Sequence, residues 1–234
     1  RITTTAKLLW GVYLLLSVSE ALLLRFVGNM NWFDAICHTF TTMATGGFST
    51  RSASIGAFNS AAVDWIITFF MFLAGINFSL HYRALTGKPG AYWRDAEFRF
   101  YAILLLIVIS VITLNVYLAD LASFGVSLRQ AAFTTVSIVT TTGFATADFD
   151  QWPEAVRILL VGMMFFGGCA GSTGGSMKIV RVYIIVKMMI REIKVFMRPS
   201  AVIQPKLGGK PIEPVIIAHI CAFFAIFVLV FALG

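Results

Sequence analysis

Five stretches of this chain are apolar over roughly the length that carries a helix across a bilayer, and nothing else in the sequence restricts the fold as much. They occupy residues 8–27, 61–80, 100–119, 158–190 and 215–234. Apart from the fourth, each is close to the ~20 residues that cross the hydrocarbon core as an α-helix. With 59% of residues hydrophobic, 12% charged and a mean hydropathy of +0.86, the composition excludes a water-soluble domain. An all-α integral membrane protein is expected. The first run is too long for a cleavable signal peptide, and no small-residue cleavage site is followed by a soluble domain. The chain starts at Arg1 and stops inside its last apolar run, as an excerpt of a longer membrane subunit would.

Charge orients the spans. Of 18 Lys and Arg residues, only Arg25, Arg51, Arg129 and Arg157 fall on the side of two hydroxyl-rich segments between spans. The others, including Arg83, Lys88, Arg94 and Arg99, fall on the opposite side, which the positive-inside rule makes cytoplasmic. The net charge of +7 is therefore a topology signal; the basic residues flank spans, and no nucleic-acid partner is expected. Cys37, Cys169 and Cys221 sit in apolar surroundings without CxxC or Cys/His spacing, so neither a disulfide frame nor a transition-metal site is expected. His38, His81 and His219 share no ligand spacing, and no nucleophile stands with a base and an oxyanion site, which sets enzymes aside.

The two hydroxyl-rich segments are related. Laying Gly47 over Gly143 sets an offset of 96 residues, and the same offset lays Leu8 over Leu104 and Ala35 over Ala131. Each unit reads as span, short amphipathic helix, polar loop, span. The expected units are 1–92 and 93–198, followed by a Pro/Gly-rich cytoplasmic linker at 199–213 and the first span of a further unit at 214–234. The chain crosses the membrane twice between one polar loop and the next, so both open on one face. Inverted repeats would place them on opposite faces; parallel units around a pore place them together.

The segments 32–45 and 128–141 are too short to span, and lipid-exposed irregular backbone is not tolerated at membrane depth, so each is expected to enter as a helix and return as an extended loop. Such a helix directs the negative end of its dipole at the membrane centre, where a cation is stabilised. Thr45, Gly46, Gly47 and Phe48, continuing into Ser49 and Thr50, and Thr141, Thr142, Gly143 and Phe144, continuing into Ala145 and Thr146, are the expected filter. Their carbonyls and hydroxyls replace the water shell of a dehydrated cation. Glycine permits the backbone angles that aim successive carbonyls one way, and Phe48 and Phe144 are expected to pack the loops against neighbouring helices. Two ordinary outer turns of shared composition are the plainer alternative.

The fourth apolar run is interrupted by FFGGCAGSTGGS, residues 165–176. Its glycines disfavour continuous helix at roughly 1 kcal/mol each relative to Ala, and an unwound segment at that depth survives inside protein or beside water. Close helix packing is the competing reading, since Gly167/Gly171 and Gly171/Gly175 have small-xxx-small spacing. Glu20, inside the first run, either pairs with Arg25 or faces the protein interior. Asp148 and Asp150 either concentrate cations at the mouth or belong to a solvated loop. Lys178 and Arg181 either border the exit or snorkel.

At TTMATGGFSTRSASIGAF (41–58), TTTGFATADFDQWPEAVR (140–157) and FFGGCAGSTGGSMKIVR (165–181) the chain resembles the Trk/Ktr/HKT superfamily of potassium transporters, most closely the membrane subunits of bacterial Trk systems. The resemblance runs through essentially the whole chain. It implies four span-loop-span units around one pore, this chain carrying the second and third and the first span of the fourth. It further implies potassium ions as the substrate, held by the filter residues, with no cofactor in this chain. A homodimer in the bacterial inner membrane, filter loops on the periplasmic side, and a cytosolic RCK-type nucleotide-binding ring as regulator are implied too. The basic stretches at 83–99 and 197–214 would suit such a regulator or anionic lipid. Residues Gly167, Gly168, Gly171, Ser172, Thr173, Gly174 and Gly175 correspond to the intramembrane loop that gates permeation. Transport of sodium or ammonium by the same architecture, or a structural subunit without a pathway, are the alternatives.

Overall fold

The computed structural model describes residues 2–198 and 204–233. Arg1, residues 199–203 and Gly234 are not among them, so the first residue of the expected first unit, the start of the expected linker and the end of the last run lie outside the described residues. The chain folds as an all-α membrane protein. α1 (Ile2–Phe26) ends in a reversal through Gly28 and Asn29 (φ 53°). Asn31 opens α2 (Trp32–Met43) by accepting the Asp34 N–H at 2.7 Å, the usual way to satisfy an orphan donor at a helix start. Ser60 caps α3 (Ala61–Ala74) in the same manner. α4 (Phe78–Leu85) and the short α5 (Ala91–Arg94) lead to Asp95, whose carboxylate accepts the Phe98 N–H and opens α6 (Ala96–Leu118). α7 (Phe124–Val139) begins one turn before the expected 128. α8 (Glu154–Met163) and α9 (Ile179–Met197) flank irregular backbone within the fourth apolar run. A two-residue-per-strand hairpin, β1 (Lys206–Leu207) with β2 (Lys210–Pro211), turns through Gly208 and Gly209 ahead of α10 (Pro214–Leu233).

The run 61–80, expected as one straight span, is bent instead. α3 and α4 diverge by 101° at Gly75, Ile76 and Asn77. Gly75 leaves no room for a side chain against the Tyr101 hydroxyl, and the Asn77 carboxamide accepts the Ser79 N–H at 2.9 Å and starts α4 afresh. Among the described residues three helical stretches are long and apolar enough to cross a membrane, Ala6–Phe26, Ala96–Leu118 and Pro214–Leu233, with a fourth if the bent pair is counted as one broken span.

The core lies between α3, α6 and α7, where Ile67, Met71, Tyr101, Ile112 and Phe133 are fully enclosed. In a bilayer these side chains exchange lipid contact for protein contact, so close packing and not transfer from water holds them together. Phe72 stacks on Tyr101 at 5.4 Å and fixes α3 against α6. α1 packs on α2, α3 and α4 through a smaller cluster that includes Val12, Phe70 and Phe78.

Candidate functional site

The ends of α2 and α7 lead into loops with one hydrogen-bond pattern. In the first, the Thr41 carbonyl accepts from the N–H groups of Gly46 (2.7 Å) and Gly47 (3.4 Å), and the Thr41 hydroxyl donates to the Phe48 carbonyl at 2.8 Å. In the second, the Ser137 carbonyl accepts from Thr142 (2.9 Å) and Gly143 (3.3 Å), and the Ser137 hydroxyl donates to the Phe144 carbonyl at 2.8 Å. These hydroxyl bonds fold each loop back along the helix that leads into it.

Left-handed backbone recurs at matching positions: Thr45 (φ 52°) and Gly47 (φ 68°) in one loop, Thr141 (φ 60°) and Gly143 (φ 87°) in the other. Glycine alone was expected there, yet each loop gives one such position to threonine. For a residue with a Cβ this costs about 1–2 kcal/mol, a strain that surrounding bonds must hold in place. The loops also touch: a Cβ on Gly47 would overlap the Thr142 carbonyl. Beyond the contact, the Gly56 N–H donates to the Ala145 carbonyl at 3.1 Å, and Ala145 N–H donates to the Ser54 hydroxyl at 3.2 Å.

The two phenylalanines differ. Phe144 is 4% exposed and lies 5.9 Å from the His38 ring, whereas Phe48 is 77% exposed. The expectation that both pack against helices is therefore corrected for Phe48. The difference follows from position: the loop after α7 has α2 beside it, and no described element stands in that place for Phe48.

Behind the first loop, Asp34 receives the Thr50 hydroxyl (2.6 Å), the Arg51 guanidinium (2.7 Å) and the Asn31 amide (3.0 Å). Burial alone would raise its carboxyl, but the hydrogen bonds from Thr50 and Arg51, the Arg51 charge and Asn31 together hold it below the usual carboxylate range. His38 bonds the Asp34 carbonyl and the Ser49 hydroxyl through its two ring nitrogens.

The glycine-rich segment 164–178 is not helical, which removes the reading of its glycines as a stripe on a packed helix. It docks on the break between α3 and α4. The Gly75 carbonyl accepts the Cys169 N–H at 2.8 Å, the Ala74 carbonyl accepts the Thr173 N–H (3.3 Å) and hydroxyl (3.2 Å), and the Phe78 N–H donates to the Gly171 carbonyl at 3.1 Å. α3 has 14 residues, about 21 Å of rise against a core of about 30 Å, so the break lies at membrane depth. Free carbonyls there would each cost several kcal/mol. The segment satisfies them, and a Cβ on Gly168 would stand 2.9 Å from the Gly75 oxygen.

The same segment reaches both loops. The Thr45 hydroxyl donates to the Ala44 carbonyl at 2.7 Å and shares that proton with the Thr173 carbonyl at 3.1 Å, and the Gly175 N–H donates to the Thr141 hydroxyl at 2.6 Å. Lys178 donates to the Ser172 carbonyl and hydroxyl, both at 3.4 Å, and to the Gly174 carbonyl, so it clasps the segment and does not snorkel. Arg181 stacks over Phe223 at 4.2 Å. Glu97, which the sequence did not mark, accepts the N–H groups of Ala170 (2.7 Å) and Val180 (3.0 Å) on one carboxylate oxygen, bridging the segment to the start of α9. Glu20 is fully buried with neither oxygen bonded, while Arg25 donates to the Met30 carbonyl; of the two readings for Glu20, the interior one holds. Asp148 accepts from the Asp150 N–H and the Gln151 amide, which ties it into its own turn.

The profile of the TrkH cation transport protein family matches residues 1–234. The chain belongs to the TrkH family. It is 43% identical over its whole length to the Trk system potassium uptake protein TrkH of Halomonas elongata and 42% identical over 99% of its length to that of Escherichia coli, covering 48% of each. The crystal structure of the potassium transporter TrkH from Vibrio parahaemolyticus superposes with a TM-score of 0.94 at 39% identity, over 100% of this chain and 50% of that one. This TrkH-family chain thus spans about half the length of the curated relatives it matches. Its relatives are named for transport, so it sits in a transport family and not an enzyme family.

Proposed function

We propose that this chain forms part of a potassium uptake pathway of the bacterial inner membrane, with Thr45 to Phe48 and Thr141 to Phe144 lining the ion-selective stretch and Gly167 to Gly175 acting as its gate. The observation that carries the reading is the matched pair of loops, alike in hydrogen bonds and left-handed positions and in backbone contact at Gly47 and Thr142. Two independent outer turns have no reason to share that geometry. Carbonyls in such a loop are positioned to take over an ion's hydration shell. Potassium as the ion is carried over from the relatives' names. The gate assignment rests on the bonds from Thr173 and Gly175 to Thr45 and Thr141, which let a movement of the segment act directly on both loops. Units at 1–92 and 93–198, a linker at 199–213, a further span at 214–234, a homodimer, a periplasmic position for the loops and a cytosolic RCK-type ring complete the proposal.

Rubidium flux into liposomes carrying the full-length subunit tests it. Gly47→Val is expected to abolish flux or the preference for potassium over sodium while leaving membrane insertion intact. Wild-type flux and preference in that variant would falsify the pathway assignment. Replacing residues 171–175 with alanine is expected to change flux far more than ion preference; the reverse pattern removes the gate.

A further inference from the structure

The turn between α4 and α6 encloses a cavity of about 610 Å³ whose walls carry Arg83, Lys88 and Arg94 together with Tyr82, Thr86 and Asp95. Among the described residues none of these three cations makes an ion pair or a side-chain hydrogen bond. Asp95, whose Oδ1 accepts the Phe98 N–H, is the one acid on the wall against three cations, which leaves the cavity with a surplus of positive charge. Like charges gathered without a counter-charge repel one another, so the arrangement suits an anion held between them.

Its place in the chain says which anion. The 23-residue apolar span of α6 starts at Ala96, directly after Arg94 and Asp95, which puts the cavity where the chain enters hydrocarbon. Leu85 (60% exposed) and Trp93 (71% exposed) lie within two residues of Arg83 and Arg94 in sequence but outside the cavity wall, and Trp93 meets the Phe98 ring edge-on at 6.1 Å. A soluble phosphate has no use for exposed apolar side chains next to its charge. A phospholipid does, because its phosphate lies within a few ångströms of its acyl chains, and tryptophan favours that boundary. The structure assigns the cavity of Arg83, Lys88 and Arg94 as a binding site for the phosphate headgroup of an anionic phospholipid, with Trp93 and Leu85 against its acyl chains. This site is independent of the ion pathway, and it takes residues 83–94 out of the surface available to a soluble regulator.

Native mass spectrometry of the detergent-purified full-length subunit reads the site directly, through retention of phosphatidylglycerol relative to phosphatidylcholine of the same chains. Each basic residue at a membrane surface contributes about a five-fold preference for anionic lipid. The triple variant Arg83→Gln/Lys88→Gln/Arg94→Gln is therefore expected to lower the retention ratio by roughly a hundred-fold. A control that removes three charges elsewhere, Lys187→Gln/Lys194→Gln/Arg198→Gln, is expected to lower it far less. Equal losses in both variants, an unchanged ratio in the first, or no preference in the wild-type chain overturns the site; the last comparison needs no variant to fold. Displacement of phosphatidylglycerol by an equal concentration of inorganic phosphate places the ligand in solution and overturns the lipid assignment.

Discussion

Thr45 and Thr141 both hold left-handed backbone and both bond the glycine-rich segment, but with opposite polarity: the Thr45 hydroxyl donates to the Thr173 carbonyl, and the Thr141 hydroxyl accepts from the Gly175 N–H. A single stretch of chain thus grips two loops 96 residues apart through the same residue type.

Thr141→Val keeps the shape of the side chain and removes the acceptor. The Gly175 N–H is then unpaired, at a cost of about 1–3 kcal/mol if no water replaces the hydroxyl. A lower thermal unfolding midpoint and an altered flux are expected, with Thr141→Ser close to wild type. Equal midpoints for the Val and Ser variants would show that this bond contributes nothing.

Gly47 and Gly143 are not equivalent in their surroundings. Both have positive φ, so alanine at either costs about 1–2 kcal/mol of backbone strain. At Gly47 the added Cβ also meets the Thr142 carbonyl, whereas at Gly143 no described atom lies within 4 Å. Gly47→Ala is expected to lower the unfolding midpoint of the full-length subunit more than Gly143→Ala does. Equal shifts would show that Gly143 is approached just as closely in the complete protein.

Glu97 is a latch for the segment. Glu97→Ala strips the acceptor from two N–H groups, of Ala170 and Val180, at an expected cost of about 2 kcal/mol or more if both stay dry. Glu97→Gln retains a carbonyl oxygen in the same place and is expected to recover much of the loss. Flux with the potassium-to-sodium ratio distinguishes the outcomes: altered flux at constant ratio fits a latch, and a lost ratio at normal flux does not.

Asp34 gives a pH dependence of known sign. Its carboxyl is held below its unfolded value, so its contribution to stability is complete above about pH 4, the unfolded pKa. That contribution is lost as pH falls through the lower folded value. Unfolding midpoints measured from pH 6 down to pH 3 are expected to fall more steeply for wild type than for Asp34→Asn. Half the Arg51 side chain is exposed, so solvent screening keeps the effect modest. Parallel curves would remove Asp34 as the cause.

The sequence displays what periodicity and composition can carry. Apolar runs mark α1, α6 and α10, the offset of 96 residues pairs the loops, and the glycines between α8 and α9 mark a break. It shows Gly75 and the Asn77 cap but not the size of the bend, because the partners that satisfy the opened carbonyls lie almost a hundred residues away. Glu97 stands in the first turn of α6, and the partners that distinguish it lie 73 and 83 residues away. Exposure at Phe48 and enclosure at Phe144 depend on which neighbour each loop has, and identical motifs say nothing of neighbours.

The bend also imposes an order on biosynthesis. The Thr173 hydroxyl that bonds the Ala74 carbonyl lies 99 residues further along the chain. At roughly 5–20 residues per second, a ribosome delivers it on the order of ten seconds after α3 has emerged. During that interval the carbonyls at Ala74 and Gly75 have no partner from residues 169–173, so the nascent segment must remain straight, stay at the translocon, or keep water beside it. Whichever of these holds, the bend between α3 and α4 reaches its final bonded form only once residues 169–173 have been made.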